Sequence, residues 1–391
     1  MNLLVISIDS LRLDHAPRIS ATVSAPRFVA QTHGFQAYAC CFSVASATRP
    51  VHASVFSGVY PFEHGVTGQR SPAVNPVTPD LMMALRTQGW QVHGYSEART
   101  VFTGLPVAGF LQDLDARPQA GLEQLARHVH VPAADRTALF VHYWSTHTPY
   151  GATDGRALGE VGQLLAAGRV DQVRERYQAA VVELFEQKLA PLLEALDRNR
   201  WIIVVFSDHG ESWTTAEPYH GQTLRNTVIR VPLYMHMPGT HMAAADSLVS
   251  LVDIAPTLAD RLDLDMESPL SGVSLLRPLP ARCCLAQIDP VPGPDLPGVS
   301  DPSAYVSSSA NSLWSVFNLA RKLTGESDSD RLVLEDTLSE HPLQEPGTQQ
   351  HLLACYREMV AASPYRRIRT SAPQTDEDLL DQRLRDLGYL A

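Results

Sequence analysis

Five apolar runs of strand length, Leu3 to Ile8, Trp90 to Tyr95, Ala138 to Trp144, Trp201 to Ser207 and Val231 to Met237, alternate with helix-period segments through the first two thirds of the chain. They are almost continuously hydrophobic. A strand with one wet face alternates apolar and polar residues, whereas unbroken runs are what a sheet covered on both faces requires. The pattern predicts an α/β fold with a large, mostly parallel central sheet between two helical layers. Ahead of the fourth run, Val170, Val173, Tyr177, Val181, Leu184, Phe185, Leu189, Leu192, Leu193 and Leu196 recur at steps of three or four, which predicts a long helix with a kink at Pro191. A shorter helix is expected after Asp253, through Ile254, Leu258 and Leu262, with Pro256 in its first turn.

The texture changes after residue 277. Pro278-Leu279-Pro280 and the stretch Asp289 to Pro302, dense in Pro, Gly, Asp and Ser, break the alternation and read as a linker or long surface loop. We expect a main domain over 1–277 and a smaller C-terminal subdomain over 278–391, packed on the main sheet and ending in a charged, weakly helical tail from Asp376 to Leu390. At about 150 residues per domain, 391 residues suit one large domain with an appendage.

A formal charge of -11 argues against a surface that tracks nucleic-acid phosphates, and leaves room only for a local basic pocket. No run approaches the roughly 20 apolar residues that cross a bilayer, so no membrane partner is expected. The first residues, Met1-Asn2-Leu3-Leu4-Val5-Ile6-Ser7-Ile8-Asp9, read as a strand and not as a signal peptide. Cys40-Cys41, Cys283-Cys284 and Cys355 form neither a disulfide framework nor a CxxC metal motif, which fits a cytoplasmic protein. Oligomeric state is not legible.

Four polar segments fall at or just beyond predicted strand ends, where open α/β sheets hold their ligands. They are Asp9, the segment Ser46 to Ser54, the segment His142 to Tyr150, and Ser207-Asp208-His209-Gly210-Glu211-Ser212 with His220-Gly221 behind it. Asp9, Asp208 and His209 offer two carboxylates and an imidazole, a mixed oxygen and nitrogen set that suits zinc or manganese better than calcium. The Thr48 hydroxyl completes that set. Coordination lowers the pKa of an alcohol and makes it a usable nucleophile, so Thr48 is a candidate ligand and nucleophile together. Singly, an Asp at a strand end or a Thr before Arg-Pro is as well explained as a helix cap.

The segments Val5 to His15, Ala47 to Val66, Thr146-His147-Thr148-Pro149-Tyr150 and Ser207 to Ser212 resemble, in order, the sulfatase branch of the alkaline phosphatase superfamily. Further matches are His220-Gly221 leading to Ile229-Arg230-Val231-Pro232-Leu233, Val252 to Leu258, and Leu387-Gly388-Tyr389-Leu390. The resemblance implies an alkaline-phosphatase-like αβα sandwich with a smaller C-terminal α/β subdomain. It implies metal ligands at Asp9, Thr48, Asp208 and His209, and a nucleophile at Thr48. His147 and His220 match groups that contact the transferred group or the leaving oxygen; with Arg49 and His52 they make the expected substrate-binding set. One divalent ion is expected. A second would need His142 beside His147 and His220, and residues five apart on a strand point to opposite faces, so a bend would have to intervene.

The chain departs from the sulfatase pattern at three places. Such enzymes oxidise a cysteine in Cys-x-Pro-x-Arg to formylglycine, and here the segment is Thr48-Arg49-Pro50-Val51-His52, from which formylglycine cannot form. The usual second carboxylate is Ser10, and the arginine four places after the nucleophile is His52. These changes favour a hydrolase or phosphotransferase that acts on a small, soluble phosphate ester or phosphonate through a phosphothreonine intermediate. A sulfuric ester hydrolase that works without formylglycine, and a non-catalytic binding protein of the same fold, are the alternatives. Arg12, Arg49 and Arg99 are candidate anion contacts, each equally suited to an ion pair. His15, His64, His93 and His236 read as packing or surface residues.

Overall fold

The computed structural model describes residues 1–69, 71, 74–75, 77–129, 136–151, 158–214, 218–289, 312–327 and 329–365. Its central sheet has seven strands: β1 (Asn2–Ile8), β2 (Gln36–Tyr38), β3 (Gln91–Ser96), β4 (Leu111–Asp113), β5 (Thr137–Tyr143), β6 (Trp201–Ser207) and β7 (Leu233–His236). They lie in the order β2-β7-β6-β1-β5-β3-β4. Five of them, from β6 to β4, run parallel, while β7 is antiparallel to both β6 and β2. The sheet is therefore mostly parallel, as the unbroken apolar runs require, with an antiparallel edge. β2 and β4 have three residues each, too few for any periodicity to show in the sequence.

Every residue of β1 is buried, and its two faces feed two different cores. Leu3 and Val5 join Val51, Val55 and Phe56 of α1 (Thr48–Ser57) in one cluster. Leu4, Ile6 and Ile8 join Val173, Tyr177, Leu184 and Phe185 in the other. Those last residues belong to α2 (Val170–Glu183) and to a π-helical turn, Leu184–Leu189, that continues into a short helix, Ala190–Glu194. The irregularity expected at Pro191 lies in the turn before it, where the widened spiral accommodates a residue with no N–H to offer. The helix after Asp253, α3 (Ile254–Leu262), carries Pro256 in its first turn and ends at Asp263 in the left-handed conformation, φ 54°.

Beyond these layers, β8 (Cys284–Ile288), β9 (Leu313–Phe317), β10 (Arg321–Glu326) and β11 (Leu332–Asp336) form an antiparallel meander, and α4 (Pro346–Ala362) packs against β9 and β10. Trp314 of β9 stacks on Tyr356 of α4 with ring centroids 4.1 Å apart. It also crosses Gly325, where a Cβ would lie 2.3 Å from the indole, so only glycine fits. Cys284, Leu285, Ala286, Ile288 and Phe317 enter the α1-side core, which joins the small sheet to the large one. All five cysteines are free thiols. The stretch 290–311 and the C-terminal tail fall outside the described residues. Among the described residues, no helix is long and apolar enough to cross a membrane.

Candidate metal and nucleophile site

Register brings the site together. Ile8 of β1 is level with Tyr143 of β5 on one side and Ser207 of β6 on the other, so Asp9 and Asp208 leave the sheet side by side. The Asp9 amide donates to the Tyr143 carbonyl at 2.9 Å, and the Asp208 amide donates to the Ile8 carbonyl at 3.3 Å. Ser10 then turns the chain in the left-handed conformation, φ 58°. Its amide and that of His209 both donate to Asp208 Oδ1, at 3.2 and 2.7 Å. Gly210 permits the return: a Cβ there would stand 2.2 Å from the Thr227 carbonyl oxygen.

Thr48 is the first residue of α1, and its hydroxyl meets both strand ends. Oγ1 donates to Asp9 Oδ2 at 3.1 Å and lies 3.3 Å from His209 Nε2. The His209 Nδ1 donates to the Gly210 carbonyl at 3.0 Å, which leaves Nε2 with a lone pair turned to the threonine. Asp9, Thr48, Asp208 and His209 are all fully buried. Asp208 Oδ2 lies 3.6 Å from His209 Nε2 and has no hydrogen-bond partner.

Such an arrangement is costly without a cation. Burial, and then the charge of Asp9, push Asp208 well above the usual carboxylate range. Burial opposes ionisation of Asp9 too, but the neighbouring imidazoles of His142, His147 and His209 draw it well below that range. Two carboxylates side by side in a dry pocket hold both charges only when something positive lies between them. Atoms that ligate one ion at about 2.1 Å sit roughly 3.0 to 3.5 Å apart; the two Thr48 spacings fall in that range, while Asp208 Oδ2 and Asp9 Oδ1 stand 3.6 and 3.9 Å from His209 Nε2. Asp9, Asp208 and His209 place one ligand atom each within 4.8 Å of one another. The residues fit a divalent ion.

A second group of polar residues faces this one. His147 stacks on Trp144 at 3.6 Å and donates Nδ1–H to the Thr148 carbonyl at 2.7 Å; its Nε2 is buried without a hydrogen-bond partner. His220 lies against the His209 ring at 4.2 Å, and its Nδ1 meets Glu211 Oε1 at 3.0 Å. Burial pushes His147 down to about 4, lowers His220 as well, and lifts Glu211 to about 7. Thr148 donates to the other oxygen of Glu211 at 3.0 Å. Glu211 has no role legible in the sequence; its place two residues after His209 is the available signal.

Two further residues of the expected substrate-binding set make contacts within the chain. Arg49 is almost fully buried, and its Nη1 donates to the Gln69 and Ser71 carbonyls at 2.7 and 2.8 Å, so it is built into the loop after α1. His52 lies beneath Thr48, one turn along α1. Its Nδ1 donates to the Thr48 carbonyl and its Nε2 accepts from Ser7 Oγ, each at 2.8 Å, which ties the helix start to β1. Burial, and then the neighbouring His142, lower it to about 3, so it is neutral. Arg12 pairs with Asp14 and donates to the Glu211 carbonyl, and Arg99 pairs with Asp113 on the surface. His142, expected only as part of a second ion site, lies in β5 with Nε2 3.4 Å from Asp9 Oδ2.

The family model described as Sulfatase matches residues 1–264, about two thirds of the chain and every residue of this site. The chain belongs to the sulfatase family. Among curated relatives, it is 31% identical over 112 residues to arylsulfatase K of Mus musculus, covering 27% of this chain and 20% of that one. It is 30% identical over 104 residues to a 2,3-bisphosphoglycerate-independent phosphoglycerate mutase of Caenorhabditis elegans, covering 26% and 19%. These matches span about a fifth of the relatives' length. Among solved structures, a phosphonate monoester hydrolase from Silicibacter pomeroyi superposes with a TM-score of 0.69 at 15% identity, covering 92% of this chain and 94% of that one. The fold shared with that hydrolase thus extends across both sheets.

Proposed function

We propose that this sulfatase-family chain is a metal-dependent hydrolase or phosphotransferase that acts on a small, soluble phosphate ester or phosphonate, with Thr48 as the nucleophile. One observation carries the reading: Thr48 Oγ1 sits between Asp9 Oδ2 and His209 Nε2 at 3.1 and 3.3 Å, where a sulfatase of the formylglycine type would carry its aldehyde. Zinc or manganese held by Asp9, Thr48, Asp208 and His209 supplies charge that lowers the hydroxyl pKa and offsets that of the bound anion.

The remaining chemistry belongs to the chain. Thr48 Oγ1 attacks phosphorus in line with the leaving oxygen, so one P–O bond forms as the other breaks. Its proton leaves to solvent as the hydroxyl ionises, because Asp9, held well below the usual carboxylate range, is a poor base. The departing oxygen takes a proton from an imidazolium at position 147 or 220, charged as the anion binds, a contribution of typically 10²- to 10⁴-fold. In the second step the neutral imidazole takes a proton from water or from an acceptor alcohol, which attacks phosphorus from the opposite side. The bond to Oγ1 breaks, the Thr48 oxygen takes back a proton from solvent, and phosphate or the new ester leaves.

A sulfuric ester is the second substrate class, favoured by the family match and by the similarity to arylsulfatase K. Metal-loaded protein assayed in parallel on aryl phosphate mono- and diesters, aryl phosphonates and aryl sulfates separates the two. We expect turnover of phosphorus esters, trapping of one phosphoryl group on Thr48 by peptide mass spectrometry, and loss of both in Thr48→Ala. Equal turnover by Thr48→Ala would overturn the mechanism. Cleavage of sulfates alone would give the second reading, and inertness of metal-replete wild type on every ester would leave a binding protein.

A further inference from the structure

His142 has a ring nitrogen with nothing to do. It lies on β5, beside β1, and is fully buried. Its Nδ1 meets Ser96 Oγ at 2.9 Å, and Ser96 Oγ in turn accepts the Ala98 amide at 3.0 Å, which fixes the ring plane. Phe102 packs edge-on against it, with ring centroids 4.8 Å apart. The opposite nitrogen, Nε2, points at Asp9 Oδ2 from 3.4 Å and makes no hydrogen bond. That separation is long for an N–H···O bond, which runs about 2.7 to 3.2 Å. It falls within the range of roughly 3.0 to 3.5 Å expected between two atoms that ligate one ion.

The neighbours exclude the other candidates. His52, His142 and Asp208 place one ligand atom each within 4.8 Å of one another, but His52 has spent both nitrogens on Thr48 and Ser7. Ser10, where the sulfatase pattern has a carboxylate, turns its hydroxyl to Asp9 Oδ1 at 2.7 Å. Asp208 Oδ2 and His142 Nε2 are, like His147 Nε2, buried and without a hydrogen-bond partner; His142 Nε2 lies 3.4 Å from Asp9 Oδ2, and His142 and Asp208 offer ligand atoms within 4.8 Å of each other.

We infer that His142 is a ligand of the same ion, standing in for the carboxylate that Ser10 lacks. This rests on the metal-dependent reading above and deepens it. With the ion bound, Nδ1–H donates to Ser96 Oγ and the Nε2 lone pair coordinates, the usual second-sphere arrangement of a metal-binding histidine. The donor set becomes two imidazoles, two carboxylates and a hydroxyl. Two nitrogens select zinc or manganese against calcium and magnesium, whose shells are all oxygen.

Zinc affinity of the metal-stripped full chain, measured by competition with a chromophoric chelator, tests the assignment without any assay of turnover. We expect His142→Gln to bind zinc at least about tenfold more weakly than wild type, with the thermal midpoint of the metal-free protein little changed. Equal zinc affinity in the two proteins overturns the ligand role and leaves the metal-dependent reading intact. Failure of wild type itself to bind zinc or manganese overturns both. Should the variant not fold, wild type labelled with ¹⁵N-histidine and loaded with ¹¹³Cd gives a second reading. Scalar coupling from cadmium to the ring nitrogens of two histidines is expected, and coupling to His209 alone overturns the inference.

Discussion

Lys322, on β10 of the small sheet, is 1% exposed, and its ammonium donates to the Leu224 carbonyl, Asn226 Oδ1 and Glu340 Oε1. Asp208, at the end of β6, is 0% exposed and leaves Oδ2 without a partner; His142 and His147 nearby each leave Nε2 the same way. Among the described residues, every buried side-chain nitrogen or oxygen of the small sheet and α4 has a hydrogen-bond partner. Both regions bury charge, but only one closes its own hydrogen-bond account. A dry polar atom without a partner costs about 1 to 3 kcal/mol, so a fold keeps several together only where another species completes them. The small sheet uses buried charge to hold itself in place, and the large sheet holds it ready for a ligand.

The sharpest way to break this contrast is to neutralise each kind of charge. Asp208→Asn should abolish tight metal binding and lower turnover at least about 10³-fold, an amount typical of removing a group that stabilises transition-state charge. The metal-free variant should melt no lower than metal-free wild type, because a carboxylate that burial and Asp9 already oppose has been removed. Metal analysis with a melt in chelator checks both, and a large loss of metal-free stability would place Asp208 among the structural charges.

Lys322→Met should do the reverse. It leaves Glu340 without its buried cation and costs about 3 kcal/mol of unfolding free energy, while Lys322→Met with Glu340→Leu recovers much of that. Denaturant titration reads the stability and zinc titration the site, which should be unchanged. An altered metal affinity would mean that the two regions are not separable.

A smaller effect sharpens the comparison by pH. His64, fully buried in the main domain and away from the metal residues, accepts the Val66 amide at Nδ1 and meets Ser54 Oγ at Nε2. Burial lowers it to about 3. A depressed histidine adds stability above its unfolded pKa of about 6.5 and loses it as pH falls toward the folded value, at up to about 1.4 kcal/mol per pH unit. Chemical denaturation of metal-free protein between pH 7 and 5 should therefore show falling stability, and a flat profile would break the expectation. The smallest effect is at Arg99, half exposed beside Asp113: Arg99→Ala should change stability by less than about 1 kcal/mol and leave turnover alone.

How much of this was readable in advance differs by element. β1, β5 and β6 announce themselves because a strand buried on both faces can carry almost nothing but apolar residues. β2 and β4 have three residues each and owe their place to neighbours already in the sheet. Asp9, Thr48, Asp208 and His209 are legible because each follows or begins a strong element, and the structure brings them within reach of one another. Arg49 and His52 make contacts that no local pattern shows. A charged or polar residue on a helix next to a nucleophile reads as a substrate contact, and the folded chain adds neighbours to it. For Arg49 those are carbonyls about 20 residues downstream, and for His52 a serine on β1, 45 residues upstream. His142 was legible as a histidine in a strand, but not as a nitrogen without a partner.

The order of apolar runs and the chemistry of four side chains were determined by the chain itself, because period and donor type are local properties. Register was decided only by the folded sheet. Pairing Ile8 with Tyr143 and Ser207 sets which polar groups emerge at one level. Which atoms then find partners, and which are left for an ion, depends on contacts between residues up to about 200 positions apart, and no local pattern records them.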